Sequence, residues 1–373
     1  MDPRPVLVVF CGGVGGSDVE ELVAAARAAA GLDTIERALA TEAFAGAVLV
    51  ADRPAALADV PPGVEVLPAP EPFHFGQALA EVVAHYGLER VLYCGAGAAP
   101  LITGEEFAAI AARLAGDPVV VANNYYSADL VAFTPGEALA RVPLPTTDNP
   151  LARLLHEHAG LPAEPLPRTI ATQLDIDTPT SLTVLALYGG TGARLSRLLA
   201  TAELPLAWFR QAARVFVERE RTALVAGRVG SHVWQFLERE TACHVRLFAE
   251  ERGMQADGRE ERGLARSLLG MYLAEVGVVR FFTALAELAD AAFLDTRVLT
   301  AHARRFPSRR DRFLSDLGRP AAIADPFLRE LTAGALDAPI PVLLGGHALV
   351  SGGLMALVQA AWDEHDREQA AGS

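Results

Sequence analysis

Short apolar, β-branched runs alternate with stretches of helical periodicity along the first half of the chain. Residues 6–10, 47–51, 64–67, 90–94, 118–122 and 130–133 read as buried strands. Between them residues 19–30, 77–86, 104–114 and 149–159 repeat their apolar positions with helical spacing. Gly31 stands where it would cap the first of these helices, and Asp148 or Asn149 where either would cap the last. A further helix begins near Pro179. Such alternation predicts βαβ units and a Rossmann-like, mostly parallel sheet covered on both faces. The second half predicts strands at 222–226, 244–248, 291–294 and 340–344. Helices are expected at 207–220, 232–240, 261–288 with a break at Gly277, 309–317 and 326–336. The fold class is α/β, with a second, helix-rich α/β domain following the first.

Residues 340–362 carry no formal charge, and by length they would serve as a membrane helix. Pro341, Gly345, Gly346, His347, Gly352 and Gly353 interrupt them, so a buried strand, a glycine loop and a buried helix are expected, and no membrane.

Composition adds a boundary and several exclusions. Up to residue 203 the chain has 11 arginines against 24 acids; beyond it, 21 against 22. That asymmetry places the domains at 1–203 and 204–373. A net charge of −14 over 373 residues argues against a nucleic-acid partner. All 32 basic residues are arginine, which excludes the Walker-lysine NTPases and Schiff-base lysine enzymes. Cys11, Cys94 and Cys243 are widely spaced, and the first apolar run is too short for a signal-peptide core, so a reducing cytoplasm is expected. Nothing in the pattern sets the oligomeric state.

Two segments of the first half could carry chemistry. Gly12, Gly13, Gly15, Gly16 and Ser17 follow the first strand and open a helix, where backbone amides can cradle a phosphate; the same glycines would also serve a tight turn. Asp175 and Asp177, at i and i+2 in extended chain, can share a hard cation such as Mg²⁺. Thr178 and Pro179 read equally as cap and first residue of a helix, leaving Asp177 in its entry turn. Asn123 and Asn124 follow a strand and would border the same crevice.

The order of the glycine loop, the Tyr93–Leu101 turn and the Asp-Ile-Asp-Thr-Pro-Thr-Ser-Leu segment from Asp175 resembles the MobA-like NTP transferases over residues 5 to about 190. The resemblance implies a GT-A fold and a nucleotidyltransferase that binds an NTP at Gly12–Ser17. It would hold Mg²⁺ through Asp175 and Asp177 and pass NMP to a phosphorylated small molecule. The chain departs from that pattern in four ways: no Arg-Met-Gly continuing the first loop, no downstream lysine, Ala98 where a metal-binding aspartate is expected, and Ser181 in place of an aspartate. A nucleotide- or nucleotide-sugar-binding regulatory protein without transfer activity is the alternative.

The second half offers its own loops at strand ends. Gly227, Arg228, Gly230 and Ser231 open a helix after one strand, and Arg297 and Asp295 follow another. His347 follows the last. One parallel sheet would bring these together with Glu250 or Glu251 as an anion-binding pocket, with His347 and Asp295 as catalytic groups and His302 nearby. The mixed-sign run 307–316 reads as a solvated or partner-facing helix.

Overall fold

The computed structural model describes residues 2–13, 15–255 and 258–372. Two compact units share the chain. The first comprises Met1–Val14, Ala24–Asp175 and Thr191–Leu198; the second comprises Gly15–Val23, Ile176–Gly190 and Leu199–Ser373.

The first unit is built on seven strands: β1 Val6–Cys11, β2 Gly46–Ala51, β3 Val64–Pro68, β4 Val91–Gly95, β5 Val119–Ala122, β6 Leu130–Thr134 and β7 Ala163–Pro165. Their order across the sheet is β3-β2-β1-β4-β6-β5-β7, with β6 antiparallel to both neighbours and every other pairing parallel. Side-chain alternation divides the core between the faces. Val8, Phe10, Val48 and Tyr93 pack on one side, and Leu7, Val9, Leu49 and Leu92 on the other. Both faces are covered by apolar side chains, as the α/β reading requires.

The second unit holds β8 Thr222–Gly227, β9 His244–Ala249, β10 Ala291–Asp295 and β11 Val342–Gly345, all parallel, in the order β11-β10-β8-β9. Phe216 stacks on Phe293 of β10 at 4.9 Å. The uncharged 340–362 region forms β11, a turn at His347–Val350 and the helix Gly352–Gly372, whose first turns are buried. Among the described residues one helix, Leu268–Leu288, is long and apolar enough to cross a membrane. It breaks at Gly277 (φ 74°, ψ 168°), and Leu273, Phe281, Phe282 and Leu285 are buried.

Three local expectations need correction. Gly31 does not cap: the helix runs on through Asp18–Leu39, and a Cβ at Gly31 would lie 2.9 Å from that of Ala96. Close packing, not termination, is what that glycine serves. The helix Leu151–Ala159 is entered from Pro150 with no side-chain cap, because Asn149 Oδ1 accepts the Ser127 hydroxyl instead. Residues 261–267 are irregular, and the helix expected there starts at Leu268, capped by Ser267.

Candidate functional site

In the first unit the chain leaves β1 toward β2 on one side and returns as β4 on the other. The strand order therefore reverses between β1 and β4, which opens a crevice at their carboxyl ends. Gly12 and Gly13 stand there. Gly13 has φ 77°, a conformation that favours glycine, and its N–H donates to Asp52 Oδ2 at 3.1 Å. A Cβ at Gly12 would meet the Asp52 carboxylate at 2.8 Å. An acid thus sits where a ligand anion would bind. Burial, with Asp52 adding to it, pushes the Cys11 thiol up to about 11; the Arg27 and Arg53 guanidiniums pull the other way. Two cations therefore stand close to the turn.

Beside this turn lies an aromatic group. Phe10 makes edge-to-face contacts with Phe73, Phe75 and Tyr93 at 5.9, 5.7 and 5.4 Å. Phe75 and Tyr93 are buried, whereas Phe73 is 52% exposed. The Tyr93 hydroxyl donates to Asp148 Oδ2 at 2.9 Å, and burial followed by Asp148 raises its pKa well above the ordinary value. Asn123 is structural: its side-chain oxygen accepts from the Asp129 and Leu130 amides and its amide donates to the Thr172 carbonyl. Ala98 is buried.

The division between the units runs through two of the expected sites. Gly12 and Gly13 belong to the first unit, and Gly15, Gly16 and Ser17 to the second; Val14 lies outside the described residues. Asp175 falls in the first unit and Asp177 in the second. The Asp177 N–H donates to Ser181 Oγ at 3.3 Å, in the turn that enters the helix Pro179–Tyr188. Among the described residues no three His, Cys, Asp or Glu side chains form a group able to hold a metal ion.

In the second unit the order reverses between β8 and β10, and the loops after those strands meet. Arg228 grips Asp295 with Nε on Oδ2 at 2.6 Å and Nη2 on Oδ1 at 3.1 Å. Gly227 (φ 131°) is indispensable there, because any Cβ would run into the Asp295 side chain. Burial alone would raise the Asp295 pKa, but Arg228, with His347 and Arg297 adding to it, holds the carboxyl below the usual range. Arg297 is likewise held, bidentate on Asp316 at 2.8 and 3.0 Å. His347 is exposed on the turn after β11. The protein around it and then Arg228 lower its pKa, against the pull of Asp295 and Asp177, so it is neutral at pH 7.

Gly230 and Ser231 open the helix Ser231–Glu240 with no side-chain cap. The remaining candidates hold the irregular segment that ends at Ser267. Glu250 accepts from Ser267 Oγ at 2.6 Å and from the Leu268 amide at 2.7 Å; Glu251 pairs with Arg259 at 2.9 Å; His302 Nδ1 accepts from the Ser267 amide at 3.2 Å. Sequence reasoning missed Phe73, Arg27, Arg53 and Arg312. Arg312 lies on the helix Arg309–Asp316, where Asp311, Phe313, Leu314, Ser315 and Asp316 are buried, so that helix is not a solvated one. Burial and then Arg297 lower the Arg312 pKa. The signal available in sequence was Phe313-Leu314 amid the charges.

No family model matches the chain, and no curated protein does. Among solved structures it is similar to a protein from Desulfovibrio desulfuricans G20 described as a nucleotide-diphospho-sugar transferase, at 14% identity and a TM-score of 0.40, over 54% of this chain and 98% of that one. A cytidylyltransferase from Leptospira borgpetersenii matches at 13% identity and a TM-score of 0.36, over 53% of this chain and 92% of that one. The 4-diphosphocytidyl-2C-methyl-D-erythritol synthase of Anaerococcus prevotii matches at 14% and 0.32, over 44% and 87%.

Proposed function

We propose that the first unit binds a nucleotide at the carboxyl ends of β1 and β4, as the donor domain of a MobA-like nucleotidyltransferase. The observation that carries this is the exposed Phe73 ring, standing on Phe10 next to the Gly12–Gly13 turn at the reversal of strand order. A base has a π-face for Phe73 to stack on, and the two turn amides, with Arg27 and Arg53 close by, suit its phosphates. Asp52 would have to swing away, which its 42% exposed side chain permits. In the reaction an oxygen of a phosphorylated acceptor attacks the α-phosphorus and pyrophosphate leaves.

A thermal-shift panel of NTPs and nucleotide sugars, each with Mg²⁺ and with chelator, tests the reading. One nucleotide should raise the melting temperature, and Phe73→Ala should weaken it about tenfold. The chelator arm reads whether Mg²⁺ takes part. No shift with any nucleotide at millimolar concentration removes the proposal.

One observation favours a second reading. The His347 imidazole, on the turn after β11, lies in the field of the Asp295 and Asp177 carboxylates and has its pKa lowered, a setting for a general base acting on a phosphorylated metabolite in the second unit. His347→Gln abolishing turnover while leaving nucleotide shifts intact selects it.

A further inference from the structure

Arg312 differs from the arginines around it. Arg228 is bound to Asp295 and Arg297 to Asp316, while the Arg312 guanidinium makes no hydrogen bond or ion pair among the described residues. It lies one turn before Asp316 on a helix that packs against β11 and the helix Pro179–Tyr188. Asp316 is already engaged by both terminal nitrogens of Arg297, so Arg312 is left with only its more distant field. The other acid that acts on Arg312 is Glu260, which also acts on Arg228; its carboxylate bonds to neither. Glu260 belongs to the irregular segment before Ser267.

A second feature lies at the same strand end. The Thr180 hydroxyl is fully buried and has no hydrogen-bond partner. Its neighbour Thr183 satisfies itself on the Pro179 carbonyl at 3.0 Å, but Thr180, in the first turn of the helix, has no such carbonyl behind it. A Cβ at Gly345 would stand 2.9 Å from Thr180 Oγ1, and one at Gly346 would stand 3.5 Å from Arg297 Nε. The Gly345–Gly346 turn is thus flanked by a buried hydroxyl with a free bond and by the Arg297 guanidinium. An unsatisfied buried hydroxyl is costly, and a water, an ion or a ligand oxygen can complete it.

We propose that the second unit binds a phosphorylated small molecule at the carboxyl ends of β10 and β11, its phosphate seated between Arg312 and the Gly345–Gly346 turn within reach of Thr180, in place of the Glu260 carboxylate. A tetrahedral dianion can satisfy a guanidinium and a hydroxyl on different sides at once. A planar carboxylate such as Glu260 engages neither arginine it lies near. The proposal shares no residue with the nucleotide reading of the first unit.

The test titrates the full chain with inorganic phosphate and with glycerol 3-phosphate, against acetate and chloride at matched ionic strength, by calorimetry and thermal shift. Phosphate and the phosphomonoester should bind saturably and acetate should not. Arg312→Met should weaken binding by about tenfold or more, the loss of a charge-assisted bond. Glu260→Gln, in a segment outside the core, should tighten it roughly fivefold by removing the competing charge. Phe73→Ala should leave it unchanged. No saturable binding up to about 20 mM, equal binding of acetate, or an affinity indifferent to both Arg312→Met and Glu260→Gln overturns the proposal. Should Arg312→Met fold poorly, the direction of the Glu260→Gln effect decides alone.

Discussion

The two sheets reverse strand order in the same way but equip the reversal differently. At β1 and β4 the crevice is lined by backbone amides and aromatic rings, and an exposed acid, Asp52, rests on one amide. At β8 and β10 the loops are knitted by buried side-chain ion pairs, Arg228 with Asp295 and, farther along, Arg297 with Asp316. A carboxylate on a solvated amide is held by about 1 kcal/mol and yields to a ligand. A carboxylate buried under a guanidinium is part of the fold. Charge at a strand end therefore does not by itself mark a binding group. What separates the two cases is whether the charge is already spent on the protein.

The largest effect expected from this contrast follows removal of one buried partner. Asp295→Ala should cost about 3–5 kcal/mol in urea unfolding by stranding Arg228, whereas Asp52→Ala should change stability by less than about 1 kcal/mol. Equal costs would erase the distinction. Next comes glycine. Gly227→Ala meets the Asp295 side chain at φ 131° and should cost about 1–3 kcal/mol, while Gly12→Ala meets only a side chain free to move and should cost less.

A smaller effect should follow pH. His347 has a folded pKa below its ordinary 6.5, so between the two values the unfolded chain binds more protons. The contribution is complete above pH 6.5 and is lost as pH falls through the folded value. Stability should decline across that window in the wild type and stay flatter in His347→Gln; the ring's own titration by NMR locates the midpoint. The smallest change expected is in affinity alone: Asp52→Asn should tighten nucleotide binding a few-fold by removing the acid from Gly13.

Element type was legible because periodicity reports burial directly. β1, β8, β10 and β11 stand where apolar runs placed them, and the break at Gly277 falls where expected. Less was legible wherever a residue's role depends on a distant partner. Gly31 is a packing contact with Ala96, 65 positions away, and nothing local distinguishes that from a cap. The loops after β8 and β10 were expected to converge, and they do, but Arg228 and Arg297 meet acids rather than open space. Arg312, hidden in a mixed-sign run, makes no ion pair among the described residues. Phe73 carried no motif at all, and its exposure beside Phe10 exists only in three dimensions.

The most direct test of two separate sites is hydrogen–deuterium exchange on the intact chain, with the best-stabilising nucleotide and then with glycerol 3-phosphate. The account predicts slowed exchange around residues 10–13 and 72–75 with the nucleotide, and around 178–182, 258–267 and 345–349 with the phosphomonoester. Protection of the same segments by both ligands, or protection of neither set, would contradict it.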